Sequence, residues 1–312
     1  YFNLPGNDLK ITEKFVNKYK MRLLAESLEL PIPKFRKVNS SLDLQDFIKE
    51  AGLPIILKPV DSQSSRGVVK IETNNKSEIE HFVINSLKYS NCGYLIAEEF
   101  IDGQEVTVEG FASNFKHRTL AISLKKHFRM GIASELRYPG DIPDNIYSQI
   151  EIINDTFVEN SGLRFGITHA EYMFDIKTGR IALIEIACRG GGTLISSDIV
   201  NWVSGVNVYD QYYFNLKRGI TDVKGLIVLK RHAVLKFFEF NSGIVKSITG
   251  LDVLKNIKGI LSYGMSFKPG DNLIPADDDR SRQGYYIAVA ETKEALDELI
   301  IKVNSSIKIE YE

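Results

Sequence analysis

Cysteine is nearly absent, with 2 in 312 residues, Cys92 and Cys188. One pair cannot build a disulfide framework or a thiolate metal site, so a reducing cytoplasm is the expected setting. Histidine is almost as sparse, and its 5 copies show no zinc-ligand spacing. No apolar run approaches the ~20 residues of a membrane-spanning helix, which excludes a membrane partner of that kind. No signal-peptide pattern opens the sequence, and it contains no internal repeat or low-complexity tract. Neither sign of charge is in excess: 39 Lys and Arg face 40 Asp and Glu. That balance argues against bulk nucleic-acid binding and leaves room for a local basic pocket. What is present, 44% hydrophobic and 25% charged residues, suits a globular chain of two or three domains.

The most informative stretch is residues 166–192, GITHAEYMFDIKTGRIALIEIACRGGG. Both halves read as strands around a turn at 175–179. A loop of Lys177-Thr178-Gly179, with Gly179 left-handed, sets Glu171 opposite Glu185. Opposed side chains have Cβ atoms about 5 Å apart, where like charges repel. Carboxylates held this way accommodate a cation. Mg²⁺ is the natural one, because it takes hard oxygens and fills its octahedron with phosphate and water. Arg189 and three glycines follow, placing a cation and bare backbone where a phosphate would lie. The alternative is a surface hairpin with two solvated glutamates.

Residues 1–7 read as a loop. A helix then starts near Ile11, with Thr12 as a cap and Ile11, Phe15, Tyr19 and Leu23 as its apolar stripe. Its run of Lys18, Lys20 and Arg22 reads most simply as a solvated face. An α/β unit follows: strand 35–38, a helix capped by Ser41, and the apolar strand 54–60 carrying Lys58. A polar loop (61–67), strand 68–71, a helix opened by a capping box at 77–80 and strand 93–101 complete it. A lysine in a buried strand is costly unless an anion meets it. The Ser/Gly loop after Lys58 could turn N–H groups and hydroxyls onto phosphate oxygens. A strand-end lysine beside a surface turn is the plainer reading. At 98–105, carboxylates at a hinge could accept from ribose hydroxyls, and the strand backbone could bond an adenine edge.

Beyond residue 110 the pattern suggests a larger antiparallel sheet with helices. Strand 119–124 leads to a basic stretch, 125–129, and a loop to Gly140. A helix after Pro143 stops at Gly162, and helices at 190–200 and 207–217 follow, the latter closed by Gly219. A terminal α+β region has strands at 226–228, 233–240 and 284–290 and a last helix capped by Thr292.

Taken in order, Lys18, Lys58-Pro59, the Ser/Gly loop, Glu98-x-Phe-Ile-x-Gly with Glu105, Glu171 and Glu185-x-x-x-Arg189 resemble the ATP-grasp superfamily. The likeness runs from about residue 5 to 220. The tail resembles the C-terminal domain of its carboxylate–amine ligase branch, and His169-Ala-Glu171 with Glu185-Ile-Ala-Cys-Arg189 is similar to bacterial L-amino-acid ligases. The resemblance implies an α/β (α+β) ATP-grasp fold, two α+β lobes sandwiching ATP with a C-terminal α+β domain. Its expected divisions are a linker helix (1–32), a small lid subdomain (33–102), a large subdomain with the metal site (103–222) and the C-terminal domain (223–312). Lys18 and Lys58 would hold ATP phosphates, under a lid formed by Ser64, Ser65 and Gly67. Glu98 and the Ile101 backbone would meet adenine, and Glu105 the ribose. Glu171 and Glu185 would bind Mg²⁺, or Mn²⁺ in its place. Arg189 would stabilise an acyl phosphate, and His169 would orient substrate. The implied enzyme is a ligase that joins a carboxylate and an amine, amino acids among them, and releases ADP and phosphate. A homodimer is the expected assembly, with neither nucleic acid nor membrane as partner.

Two departures stand out. Where many members carry Asn, two residues after the second metal glutamate, this chain has Ala187, which puts a second metal in question. The resemblance also implies an N-terminal Rossmann-like domain ahead of Gly6, expected to be truncated away or supplied by a partner. The basic stretch 125–129 and Arg137 are candidates for carboxylate recognition. The rival readings are a purine-pathway ligase or carboxylase, and a nucleotide-binding fragment without turnover.

Overall fold

The computed structural model describes residues 6–218 and 222–312. Residues 1–5 of the expected loop, and Gly219 as a helix stop, lie outside them. The elements begin with α1 (Leu9–Thr12), α2 (Lys18–Ser27), β1 (Phe35–Val38), α3 (Ser41–Ala51), β2 (Ile55–Pro59), β3 (Val69–Ile71), α4 (Lys76–Leu87) and β4 (Leu95–Glu99). Next come β5 (Gln104–Ser113), β6 (Lys116–Arg129), β7 (Ile132–Tyr138), α5 (Asp144–Ser161), β8 (Phe165–Phe174), β9 (Ile181–Ala187), α6 (Val200–Ser204) and α7 (Val208–Arg218). The rest are β10 (His232–Phe237), β11 (Gly243–Thr249), α8 (Leu251–Leu254), β12 (Ile260–Met265), β13 (Asn272–Leu273), β14 (Gly284–Ala290), α9 (Lys293–Ser306) and β15 (Lys308–Tyr311). None of the described helices is long and apolar enough to cross a membrane.

The chain divides into two compact units. One holds residues up to 119, 143–190 and 212–225; the other holds 120–142, 191–211 and 226–312. The expected cuts at 32 and 102 both fall inside the first unit.

In the first unit an antiparallel sheet, ordered β1-β4-β2-β3, is covered by α3 and α4. Ser40, not Ser41, caps α3, in a reciprocal capping box with Asp43. Asn75 caps α4, ahead of the expected box. Alternation along the strands sends Ile55, Leu57, Leu95 and Ala97 into the core beneath these helices. It sends Lys58 and Glu98 to the opposite face. The same unit sets β5, β8 and β9 side by side, antiparallel. On β8 the even-numbered residues from Thr168 to Phe174 are buried, and Tyr172 bonds Asn154 of α5. The odd-numbered His169 and Glu171 therefore take the other face.

The expected single helix from Ile11 is two. Asp8, rather than Thr12, caps α1, the chain breaks at Val16, and the Asn17 carboxamide caps α2 by accepting from the amides of Tyr19 and Lys20. The break rotates the buried face. Lys18, Met21, Arg22 and Ala25 are buried, whereas Leu23, from the expected stripe, is 44% exposed.

The second unit contains the distal half of β6, which forms a hairpin with β7, so residues 125–140 are largely strand and not a basic loop. Strands β10, β14 and β12 follow in turn. Residues 226–228, expected as a strand, form none. The side chains of α9 pack on Val234, Tyr286 and Ala288, with Thr292 capping the helix as expected. Arg137 pairs with Asp297 of α9 at 2.6 Å and lies near Glu135, so its guanidinium is already engaged.

Candidate active site

Within the first unit, α2 delivers two cations one helical turn apart. Lys18 Nζ donates to the Ser62 carbonyl (2.8 Å) and to Glu185 (3.0 Å), joining the loop after β2 to β9. Arg22 is fully buried; its Nε donates to Glu98 (2.7 Å) and its Nη2 to the Ile184 carbonyl (2.8 Å). The helix end itself offers little to an anion, because Asn17 takes two of its first amides and the Val60 carbonyl takes that of Lys18. Side chains, not a helix dipole, make this place positive.

Glu98 is shared. Its second oxygen meets Lys58 Nζ at 2.6 Å, and Lys58 is only 5% exposed. Burial pushes the Lys58 pKa down; Glu98 opposes the shift, and nearby Arg22 and Lys18 add to it. Burial also works against the Glu98 carboxylate, but Arg22 and Lys58 outweigh it and hold its pKa below the ordinary range. Expected at the adenine, Glu98 instead has both oxygens committed to these cations. The sequence pattern left Arg22 on a solvated face, whereas it is buried. The available signal was its i, i+4 spacing from Lys18, which sets both on one helix face.

Glu171 lies directly opposite Glu185. The route to that register differs from the expected one. The Asp175 amide bonds the Arg180 carbonyl, so four residues (176–179) close the turn, with Gly179 left-handed at φ 71°. Pairing then runs Phe174 with Ile181, Met173 with Ala182 and Tyr172 with Leu183, and jumps to Glu171 with Glu185. Ile184 is the extra residue of a β-bulge. The longer turn and the bulge cancel. Both glutamates are partly exposed, at 25% and 32% of their side chains.

His169 sits beside them, with Nδ1 2.5 Å from Glu109 and Nε2 3.9 Å from Glu171. Burial disfavours the imidazolium, but the two carboxylates outweigh burial and raise the His169 pKa to about 10. Ala187 lies opposite His169 and contributes no donor. Among the described residues there is no group of three or more His, Cys, Asp or Glu able to hold a metal. Two opposed carboxylates fit an ion that completes its shell from water and phosphate, as Mg²⁺ does.

The loop after β2 carries Ser64 and Ser65, both exposed and both left-handed, at φ 57° and 56°. Such backbone costs roughly 1–2 kcal/mol per non-glycine residue, which points to use rather than accident. Gly67 (φ 73°) anchors the loop: a Cβ there would come within 2.9 Å of both Pro59 and Tyr89. Ile101 is buried just before β5, and Glu105 is half-buried near its start. Arg189 is exposed just past β9, where it bonds the Gly190 carbonyl. Two hydrogen-bonded groups result, Lys18 with Glu185 and Arg22 with Glu98 and Lys58, and Glu171 lies opposite Glu185.

An ATP-grasp domain model matches residues 51–198. The chain has the ATP-grasp fold. A second family model, L-amino acid ligase C-terminal domain 2, matches residues 236–312. The ATP-grasp fold is also that of the L-amino acid ligase from Bacillus licheniformis, which superposes with a TM-score of 0.81 at 22% identity, over 99% of this chain and 75% of that one. The uncharacterized protein y4rH of Sinorhizobium fredii is 22% identical over 98% of this chain. D-alanine–D-alanine ligase from Neisseria meningitidis is 33% identical over 95 residues, 29% of this chain. The chain spans 63% of the length of y4rH, and its match spans 28% of the D-alanine–D-alanine ligase. The region matched by the ATP-grasp model takes in Lys58, Glu98, Glu171 and Glu185 and leaves Lys18 and Arg22 before its start.

Proposed function

We propose that this chain performs the ATP-dependent joining of a carboxylate to an amine, with amino acids as the substrate class. One observation carries the reading: two buried cations, Arg22 and Lys58, share the single Glu98 carboxylate, with Lys18 close by. A buried surplus of positive charge calls for an anion. The triphosphate of ATP is that anion. The names of the L-amino acid and D-alanine–D-alanine ligases support amino acids as acid and amine.

In this reading Lys18 and Lys58 grip the phosphates, and Glu98 aligns Lys58 rather than meeting the base. Ile101 and Glu105 remain for adenine and ribose. Ser64, Ser65 and Gly67 close over the phosphates and exclude water. Glu171 and Glu185 hold Mg²⁺, which when bound neutralises phosphate charge. The substrate carboxylate oxygen attacks the γ-phosphorus and ADP leaves, giving an acyl phosphate. The amine then attacks the acyl carbon, loses a proton and expels phosphate. Arg189 offsets the charge that develops on the acyl phosphate and tetrahedral adduct, and His169, oriented by Glu109, positions substrate.

The test is ADP release measured over pairs of amino acids, with purine intermediates as the competing acceptors. An amino-acid pair should stimulate ADP release and yield one amide per ADP. Lys58→Met and Glu185→Gln should each lower the rate about a hundredfold or more, the scale of losing one preorganised electrostatic group. Mg-ATP binding that no acid and amine pair accelerates would overturn the ligase.

A further inference from the structure

The two glutamates face each other only because β9 has one residue too many. Were the ladder to continue from Tyr172–Leu183 without a bulge, Glu171 would pair with Ile184 and Glu185 with Ala170. Since successive side chains alternate between faces, Glu185 would then point into the core side, away from Glu171. Something must hold the extra residue in place. β9 ends its sheet, with β8 as its ladder partner, so its outer edge takes bonds from outside the ladder. Two bonds of the first unit do so: the Leu183 amide donates to the Pro31 carbonyl at 2.9 Å, and Arg22 Nη2 donates to the Ile184 carbonyl at 2.8 Å. The second falls on the bulged residue itself.

We infer that Arg22 is a positioning residue that fixes the Ile184 bulge through Nη2 and so sets Glu185 against Glu171, while its Nε fixes the Glu98 that holds Lys58. The inference rests on the reading of the glutamate pair as the metal site. The physical basis is rigidity. The guanidinium is planar, its donors hold a fixed fork, and it lies in a site with no exposed surface, so its two contacts fix each other's geometry. Lysine at this position has one ammonium on a flexible stem. Its donors radiate from a single nitrogen, so it could keep the charge beside Glu98 but not span the two acceptors that Nε and Nη2 reach separately. Arg22 touches neither nucleotide nor metal in this account; it acts through Glu185 and through Lys58.

The experiment measures Mn²⁺ bound to the full chain by electron paramagnetic resonance, with ADP present, alongside ADP binding in EDTA. Wild type, Arg22→Lys and Glu185→Gln are compared after melting curves show that each is folded. Mn²⁺ affinity should fall at least tenfold in R22K, approaching E185Q. A folded R22K with Mn²⁺ affinity within twofold of wild type would overturn the inference while leaving the metal site intact. If wild type binds Mn²⁺ no better than E185Q, the metal-site reading itself fails, a different outcome. Should R22K not fold, Arg22→Met replaces it, since it removes one of the two buried cations and leaves Lys58 paired with Glu98 at 2.6 Å. R22M should bind Mn²⁺ at least tenfold more weakly than wild type, because it lacks the Ile184 bond. Equal affinities in the two would refute the role.

Discussion

Replacing Lys58 by methionine should leave the nucleotide-free protein at least as stable as before, whereas neutralising its partner by Glu98→Gln should cripple it. Arg22, Lys58 and Glu98 are at most 5% exposed, so two buried cations are balanced by one carboxylate. E98Q leaves both cations unpaired. Breaking a buried pair in this way costs about 3–5 kcal/mol, or roughly 6–20 °C in melting temperature for a unit of this size. K58M instead removes the surplus and leaves Arg22 paired with Glu98 at 2.7 Å. Replacing a buried charge by an apolar group of similar size is neutral to stabilising, here by about 0–2 kcal/mol once the lost Lys58–Glu98 bond is counted. The pH dependence carries a second signature. The Lys58 pKa is depressed below 10.5, so above its folded pKa the site has released a proton that the unfolded chain still holds. Stability attributable to Lys58 therefore rises with pH from the folded pKa up to the ordinary lysine range, and K58M should lack that rise. Urea unfolding without nucleotide supplies the assay, repeated with ADP at about a hundred times its dissociation constant. Wild type should gain about 2.7 kcal/mol from that ligand, and K58M far less. Were K58M destabilised as much as E98Q, Lys58 would be an ordinary structural ion-pair partner, and the charge-surplus argument would collapse.

Two further perturbations test neighbouring parts of the reasoning. Gly67 and Gly179 have nearly the same backbone angle, φ 73° and 71°, but only Gly67 packs against Pro59 and Tyr89; Gly179→Ala should cost about 1 kcal/mol in thermal unfolding, and Gly67→Ala clearly more. Equal costs would show that the loop anchor is not set by packing. Burial works against the Asp155 carboxylate, but its bonds with His117 and Lys224 outweigh this and depress its pKa. Its contribution is therefore complete above the ordinary carboxylate range and lost as pH falls through the folded pKa. Asp155→Asn should be about 1.5–3 kcal/mol less stable at pH 7, with the gap closing in acid; a gap independent of pH would refute the assignment.

Much of the first unit was legible because local patterns agreed with the tertiary fold. The strand at Phe35–Val38 and the helix stops at Gly52 and Gly162 were readable from period and punctuation alone. The opposition of Glu171 and Glu185 was anticipated through a turn one residue too short and a ladder one residue too regular, two errors that cancel. Neither the turn length nor a bulge leaves a mark in residue type when the flanking residues are Leu183, Ile184 and Ile186. The charged helix misled in the other direction. Lys18 and Arg22 look like a solvated face because, in isolation, a cation belongs in water. They are buried because carboxylates from distant strands await them, and the sequence interval to Glu98 and Glu185 hides that. The hairpin of β6 and β7 was missed where its basic residues weakened the strand pattern.

The sequence by itself settled the inventory: which carboxylates and amines are available, and the order in which they come along the chain. Folding settled their assignment. Glu98 was drawn to two cations, Arg22 was taken out of water, and one extra residue in β9 turned Glu185 toward Glu171. These outcomes depend on charge pairing between segments far apart in the chain and on strand register. Register turns every side chain over when it slips by one, so only the packed structure could fix it.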